Sequence, residues 1–142
     1  MLDRPIRVLI VDDDQLQLEL MERSLRMEGF QVATSSSVFG VSNIMRSFHP
    51  DVVVCDVFIP ALSGDQLLNL ARRNAPEGTK FVLYSSCDEW RLRTLARDTN
   101  ADGWFSKSED SALVARKLRE VCGAIPASRP SVPPSKKGSS TP

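Results

Sequence analysis

Residues 51–64 read DVVVCDVFIPALSG, and this stretch decides the fold that the sequence predicts. Its apolar run, residues 52–55, shows no alternation with polar side chains, which is typical of a strand buried on both faces of a parallel sheet. The run leads directly to Asp56, in a segment that Pro60 and Gly64 shape into a loop. Ligands of open α/β sheets bind beyond the carboxyl ends of such strands, so Asp56 stands at a functional position. On its own, an aspartate after a strand is more often a turn or helix-capping residue, and the rest of the chain changes that weighting.

Apolar runs and helical periodicity alternate along the rest of the chain. Further strands are predicted over residues 6–11, 30–33, 80–84 and 103–106, and helices over residues 15–28, 38–48, 65–73, 88–97 and from Ser108 or Glu109 onward. Gly29 and Asn100 stand where helices end, since both tolerate the left-handed conformation. Five strands alternating with five helices predict an α/β fold, a doubly wound parallel sheet with right-handed crossovers.

Composition limits the classes of function. Eighteen basic and eighteen acidic side chains cancel, so no net charge draws the chain to nucleic acid or to an anionic membrane. Three widely spaced cysteines in apolar surroundings fit reduced thiols, and no run of membrane length occurs in the sequence. We therefore expect a cytoplasmic protein without direct contact to nucleic acid or membrane.

A change in amino-acid composition near residue 123 predicts a domain boundary. Beyond it the chain is rich in proline and serine and carries basic but no acidic residues. We expect a folded domain over residues 1–123, followed by a disordered tail or linker stub over residues 124–142.

Polar side chains follow four of the five predicted strands. Asp12 and Asp13 come after the first, Asp56 after the third, Ser85 after the fourth and Lys107 after the fifth. The carboxyl ends of parallel strands share one edge, so these groups are expected to meet there. Three grouped carboxylates indicate a hard cation, and Mg²⁺ suits oxygen ligands. A lysine and a hydroxyl beside them suit a phosphoryl oxygen.

Four motifs carry a family resemblance: VDDD at 11–14, DVFIPALSG at 56–64, YSS at 84–86 and ADGWFSK at 101–107. In this order and spacing they resemble the receiver domain of bacterial two-component response regulators, of the stand-alone type, over residues 6–122. The resemblance implies a five-stranded sheet in the order 2-1-3-4-5, the flavodoxin-like (βα)5 receiver fold. It also implies a signalling phosphoacceptor that catalyses only its own phosphorylation and dephosphorylation.

The resemblance assigns roles to the residues of the motifs. Asp56 would accept a phosphoryl group from a histidine kinase or a histidine phosphotransfer protein. Asp13 and Asp56 would bind Mg²⁺ directly with the backbone carbonyl of Phe58, and Asp12 through water. Lys107 would pair with the phosphate.

Two further positions would form the switch. Ser85 would supply a hydroxyl that moves onto the phosphoryl group, and Trp104 would be the switch aromatic. The chain departs from the family pattern at Ser108, where proline is usual, at Ser86, where alanine or glycine is usual, and at Trp104, where tyrosine or phenylalanine is commoner. No chemical group is lost. Asp14 is interpreted as a helix cap, with a metal role as the alternative.

Partner surfaces and competing functions complete the predictions. Trp90 and Trp104 fall in the region of the fourth and fifth predicted helices, which we expect to bind a downstream target protein. We expect a monomer or weak dimer. The alternatives are a pseudo-receiver that acts as a scaffold without phosphorylation, and a Mg²⁺-dependent phosphohydrolase with an aspartate nucleophile. His49 precedes a proline and is interpreted as a loop residue.

Overall fold

The computed structural model describes residues 4–57, 69, 72, 73 and 75–123. Within these residues, five strands form a single parallel sheet in the order β2-β1-β3-β4-β5. The strands are β1 (Arg7–Val11), β2 (Gln31–Ser35), β3 (Val52–Asp56), β4 (Lys80–Ser85) and β5 (Gly103–Ser106). The predicted fold class and strand order are both confirmed.

Helices connect the strands and cover the sheet. The described helices are α1 (Gln15–Met27), α2 (Val41–Phe48), α3 (Glu89–Asp98) and α4 (Ser111–Val121), with a 3₁₀ turn (Val38–Gly40) before α2. The helix predicted over residues 65–73 lies largely outside the described residues. Its described members Asn69, Arg72 and Arg73 are helical.

Local signals end the helices where the sequence placed them. Gly29 has φ +99° after α1, and Asn100 has φ +60° after α3. His49 caps the end of α2 with φ +52° and is exposed, as expected of a loop residue. The Asp14 side chain accepts a hydrogen bond from the Gln17 N–H at the start of α1, which confirms its capping role.

Most predicted boundaries are within one residue of the observed ones, but two differ by more for a reason that the hydrogen bonds show. β2 continues to Ser35, because its backbone still pairs with β1 at Val11. The last helix begins at Ser111 and not at Ser108 or Glu109. Asp110 supplies the cap by accepting a hydrogen bond from the Leu113 N–H at 2.9 Å.

Successive strand residues contribute to two hydrophobic clusters. Val8 and Ile10 of β1 belong to a cluster with residues of α1 and α4, whereas Leu9 and Val11 belong to one with residues of α2 and α3. All five residues of β3 are buried. Helices on both faces therefore hold the sheet rigidly, and the carboxyl ends of its strands remain available for a site.

The expected tail over residues 124–142 lies outside the described residues and stays a prediction. In the part of the chain that the structure describes, no helix has the length and apolar character needed to cross a bilayer. Cys55, Cys87 and Cys122 are unpaired thiols. This agrees with the expectation of reduced cysteines.

Candidate functional site

The register of the strands brings the predicted polar side chains to one edge of the sheet. Asp12 follows β1, Asp56 and Ser85 are the last residues of β3 and β4, and Lys107 follows β5 directly. Backbone hydrogen bonds continue the ladder beyond the strands: the Asp12 N–H donates to the Ser35 carbonyl at 3.1 Å, and the Lys107 N–H donates to the Ser85 carbonyl at 2.9 Å. Main-chain hydrogen bonds therefore hold the backbone from which the Asp12 and Lys107 side chains extend.

Three carboxylates meet at this edge. One oxygen each of Asp12, Asp13 and Asp56 lies within 4.8 Å of the others. Asp12 is fully buried and Asp56 is 4% exposed, whereas Asp13 is exposed to solvent. Hard oxygen ligands at this spacing are typical of a Mg²⁺ site, with the exposed carboxylate at its open side. The third ligand predicted at Phe58 lies outside the described residues.

Lys107 joins two of these acids. Its Nζ atom lies 3.0 Å from Asp12 Oδ2 and 3.3 Å from Asp56 Oδ2, and its side chain is 18% exposed. Burial alone would lower the pKa of Lys107, but the hydrogen bond to Asp12 and the charges of both carboxylates outweigh burial and raise this pKa. One ammonium faces three carboxylates among the described residues, and a divalent cation would offset the remaining negative charge.

Asp12 is held by more groups than the sequence predicted. Asp12 Oδ2 accepts a hydrogen bond from the Tyr84 hydroxyl at 2.5 Å, and Oδ1 accepts one from the Asp14 N–H at 3.0 Å. Burial would raise the pKa of Asp12, but these hydrogen bonds and that from Lys107 lower it overall. Asp12 therefore stays charged although it has no exposed surface.

Tyr84 is the site residue that the sequence reasoning missed. It is fully buried in β4, between Leu83 and Ser85. Burial and its hydrogen bond to Asp12 raise the pKa of the phenol, so the hydroxyl remains a donor. The signal was present in the sequence, because a tyrosine inside a buried strand needs a partner for its hydroxyl.

Ser85 and Trp104 do not form part of the carboxylate cluster. Ser85 is fully buried, and its Oγ accepts a hydrogen bond from the Cys87 N–H at 3.1 Å. Trp104 is half-buried on β5 and packs against the hydrophobic cluster beneath α2 and α3. The switch roles predicted for both residues stay predictions.

Hydrogen bonds organise the segment after Lys107, where Ser108 replaces the usual proline. The hydroxyls of Ser106 and Ser108 lie 2.8 Å apart, and the Ser108 N–H donates to Ser106 Oγ at 3.2 Å. The Ser106 N–H donates to Glu109 Oε2 at 3.0 Å. Side-chain hydrogen bonds thus hold this turn in a chain that lacks the proline.

Comparison with known proteins agrees with the fold and the acid cluster. The sequence model of one protein family, the response regulator receiver domain, matches residues 8–119 of this chain. The chain therefore belongs to the response regulator receiver domain family, and its domain is one of two-component signalling. Receiver domains are in general signalling phosphoacceptors that partner with histidine kinases, and not enzymes acting on a separate substrate.

Individual relatives show both the likeness and its extent. Over 103 residues the chain is 31% identical to the response regulator MprA of Mycolicibacterium vanbaalenii, a match that covers 72% of this chain and 44% of MprA. The chain thus spans about half the length of the curated relatives it matches.

Solved structures confirm the fold. A CheY-like receiver domain protein from Methanospirillum hungatei superimposes with a TM-score of 0.72 at 24% identity, covering 84% of this chain and 95% of that one. The chemotaxis response regulator CheY4 of Vibrio cholerae gives a TM-score of 0.72 at 19% identity, covering 82% of this chain and 98% of that one. At these identities the likeness concerns the fold alone.

Proposed function

We propose that this chain is a phosphoacceptor of two-component signalling in which Asp56 receives the phosphoryl group. One observation carries the proposal: an oxygen of the buried Asp56 carboxylate lies 3.3 Å from the ammonium of Lys107, and the Asp56 carboxylate lies within 4.8 Å of those of Asp12 and Asp13. A phosphoacceptor needs a nucleophilic oxygen, a cation site beside it and a positive group for the phosphoryl oxygens. All three are present at one edge of the sheet.

Phosphoryl transfer would proceed by direct attack. An oxygen of Asp56 attacks the phosphorus of a phosphohistidine, the P–O bond forms as the P–N bond breaks, and the imidazole leaves with the bonding electrons and takes up a proton. Asp12, Asp13 and Asp56 would hold Mg²⁺, with the carbonyl of Phe58 as a further ligand. When bound, Mg²⁺ supplies positive charge that neutralises the phosphoryl oxygens.

Lys107 and Ser85 would then bind the phosphoryl group on Asp56. The Lys107 ammonium would exchange its carboxylate partners for a phosphoryl oxygen on Asp56, because it already lies 3.3 Å from the Asp56 carboxylate. The Ser85 hydroxyl would turn toward another phosphoryl oxygen and release the Cys87 N–H. The Lys107 N–H donates a hydrogen bond to the Ser85 carbonyl at 2.9 Å. A displacement of either residue would therefore displace the other.

A groove between α1 and α4 supports docking of the phosphodonor. It has a volume of about 120 Å³, and its lining includes Leu20 and Met21 of α1 together with Lys107. Leu16 and Leu20 are exposed by 66% and 51% on the same helix. We propose that a histidine kinase or histidine phosphotransfer protein binds this apolar surface, which ends beside the site of transfer.

A second surface would bind a downstream target protein. Trp90 on α3 is 63% exposed and Leu113 on α4 is 42% exposed, which supports a target-protein site on the α3–β5–α4 face. We also propose a receiver domain over residues 1–123, a tail or linker stub beyond it, a cytoplasmic location and a monomer or weak dimer. Direct binding of nucleic acid is not expected, because basic and acidic side chains balance over the whole chain.

Labelling with acetyl phosphate and Mg²⁺, read by intact-protein mass, tests the proposal. Asp56→Ala should abolish the phosphoryl adduct, and Asp13→Ala should lose the magnesium dependence with most of the rate. Asp14→Asn is the matched control, since asparagine caps a helix as well as aspartate and Asp14 lies outside the carboxylate cluster.

Each alternative function predicts a different result. Labelling that survives Asp56→Ala would end the proposal. Turnover of acetyl phosphate without a stable adduct would indicate a phosphohydrolase, and the absence of any response in the unmodified chain would indicate a scaffold.

A further inference from the structure

We propose that Tyr84 is a positioning residue of the acid cluster, whose hydroxyl holds the Asp12 carboxylate in the orientation that cation binding requires. The inference rests on the proposed function and extends it to Tyr84, a residue to which the family resemblance assigns no role. Tyr84 is the single tyrosine of the chain.

The geometry leaves the Asp12 carboxylate little freedom. Its Oδ2 accepts the Tyr84 hydroxyl at 2.5 Å, while its Oδ1 accepts the Asp14 N–H at 3.0 Å. Both oxygens are therefore held, one by a side chain from β4 and one by the main chain that follows Asp12 itself. Rotation of the carboxylate would break both hydrogen bonds.

The phenol is itself held by packing. Tyr84 has no exposed surface, and its ring centroid lies 5.5 Å from that of Phe105 on the neighbouring strand β5. The ammonium of Lys107 lies over the Tyr84 ring, 4.9 Å from its centroid. A buried aromatic ring with these neighbours has few alternative rotamers, so its hydroxyl is a fixed donor.

The value of a fixed donor becomes clear when Lys107 moves. Lys107 and Tyr84 share the same acceptor, Asp12 Oδ2, at 3.0 Å and 2.5 Å. If the ammonium shifts to a phosphoryl group on Asp56, a buried carboxylate loses its cationic partner, which is costly unless other donors remain. The Tyr84 hydroxyl is a side-chain donor that stays, so Asp12 keeps its orientation through the transfer.

A purely structural role for Tyr84 makes a different prediction. As core filler, the ring would be needed and the hydroxyl would only require some acceptor. As a positioning residue, the hydroxyl would be needed for cation affinity, because groups that orient metal ligands typically contribute tenfold to a hundredfold. Tyr84→Phe separates the two roles, since it keeps the ring and removes only the hydroxyl.

The test is a Mg²⁺ titration of the full chain by calorimetry. We expect Tyr84→Phe to bind Mg²⁺ about tenfold more weakly than the unmodified chain. Ile6→Val is the matched control: it removes apolar volume from the same hydrophobic cluster at the other end of β1 from Asp12, and it should leave the affinity unchanged. Unchanged affinity in Tyr84→Phe, or an equal loss in Ile6→Val, would overturn the inference.

A spectroscopic measurement gives a second readout that does not depend on phosphorylation. With ¹³C-labelled tyrosine, the single ring Cζ resonance reports the hydrogen bond to Asp12 directly. We expect it to shift on addition of Mg²⁺, because cation binding withdraws charge from that carboxylate; a resonance that does not move contradicts the inference. Failure of the unmodified chain to bind Mg²⁺ or to be phosphorylated would instead overturn the proposed function.

Discussion

The Nζ atom of Lys117 on α4 lies 5.3 Å from the centroid of the Trp104 ring on β5. The same ammonium pairs with both carboxylate oxygens of Glu109, at 2.6 Å and 3.0 Å. Glu109 in turn accepts a hydrogen bond from the N–H of Ser106, next to Lys107. The proposed switch aromatic is therefore connected through one ion pair to the loop that carries Lys107.

This connection predicts how the Trp104 signal responds to activation. In a Trp90→Phe background, where Trp104 is the remaining tryptophan, we expect beryllium fluoride with Mg²⁺ to change its fluorescence. Lys117→Met should enlarge the change, because a cation over an aromatic face contributes about 0.5 to 1 kcal/mol that opposes inward movement of the ring.

Two controls make the fluorescence experiment decisive. Arg116→Met alters the same helix at a residue that pairs with Glu120, so it should leave the response unaffected. A Trp104 signal that does not respond, or a response that persists in Ser85→Ala, would show that the switch runs through other residues.

The lifetime of the phosphoryl group is predicted to depend on Phe58, which lies outside the described residues, and on Cys87. Neither side chain orients a water molecule well, and Phe58 is bulky enough to shield the phosphorus. We expect Phe58→Asn to accelerate autodephosphorylation by about tenfold, equivalent to about 1.4 kcal/mol in the barrier.

Decay of the phosphorylated protein in the absence of donor provides the measurement. Phe58→Leu is the control, since leucine keeps an apolar shield and should decay slowly. An unchanged or slower rate in Phe58→Asn would contradict shielding.

The Asp51 carboxylate predicts a pH dependence of stability. It accepts hydrogen bonds from both terminal nitrogens of Arg4, at 2.8 Å and 3.0 Å, and from the Arg7 N–H at 2.8 Å. Burial would raise the pKa of Asp51, but these donors outweigh it and lower that pKa. The stabilisation is therefore complete above the unfolded-state pKa of about 3.9 and is lost as pH falls through the lower, folded-state pKa.

Urea unfolding of Asp51→Asn tests this dependence. At pH 7 we expect a loss of about 1 to 3 kcal/mol in the free energy of unfolding, and a smaller loss in acid, where the original carboxylate is protonated too. Asp98→Asn is the control, because Asp98 is 62% exposed in its ion pair and should change stability little. A difference that stays constant with pH would rule out the Asp51 explanation.

The thiols are predicted to differ in reactivity. Burial raises the pKa of Cys55 to about 12 and that of Cys122 to about 11, so both are almost entirely protonated at pH 8. Cys87 is half-buried. We expect iodoacetamide to label Cys87 first in the folded chain and all three thiols after denaturation.

Peptide mapping after timed labelling would identify the modified thiol. Cys87→Ser should make the folded chain nearly unreactive. Labelling of Cys55 at the rate of Cys87 would show that the sheet opens far more readily than its packing implies.

Much of the fold was predictable because its signals are local. An apolar run without alternation, such as residues 52–55, requires burial on both faces, whatever the rest of the chain does. Asp14 and Gly29 mark the ends of α1 through interactions within a single turn. The sequence also placed Asp12, Asp56 and Lys107 at one edge, because parallel strands share their carboxyl ends.

What the sequence could not decide is which of these groups touch. Tyr84 and Asp12 are 72 residues apart, and Lys107 and Asp56 are 51 apart. Their contacts depend on the register between strands and on which face each side chain takes, and a shift of one residue in register moves a side chain to the opposite face. The acid site as a class was therefore determined by the sequence, whereas the tertiary structure alone decided that a buried tyrosine and a lysine share one oxygen of Asp12.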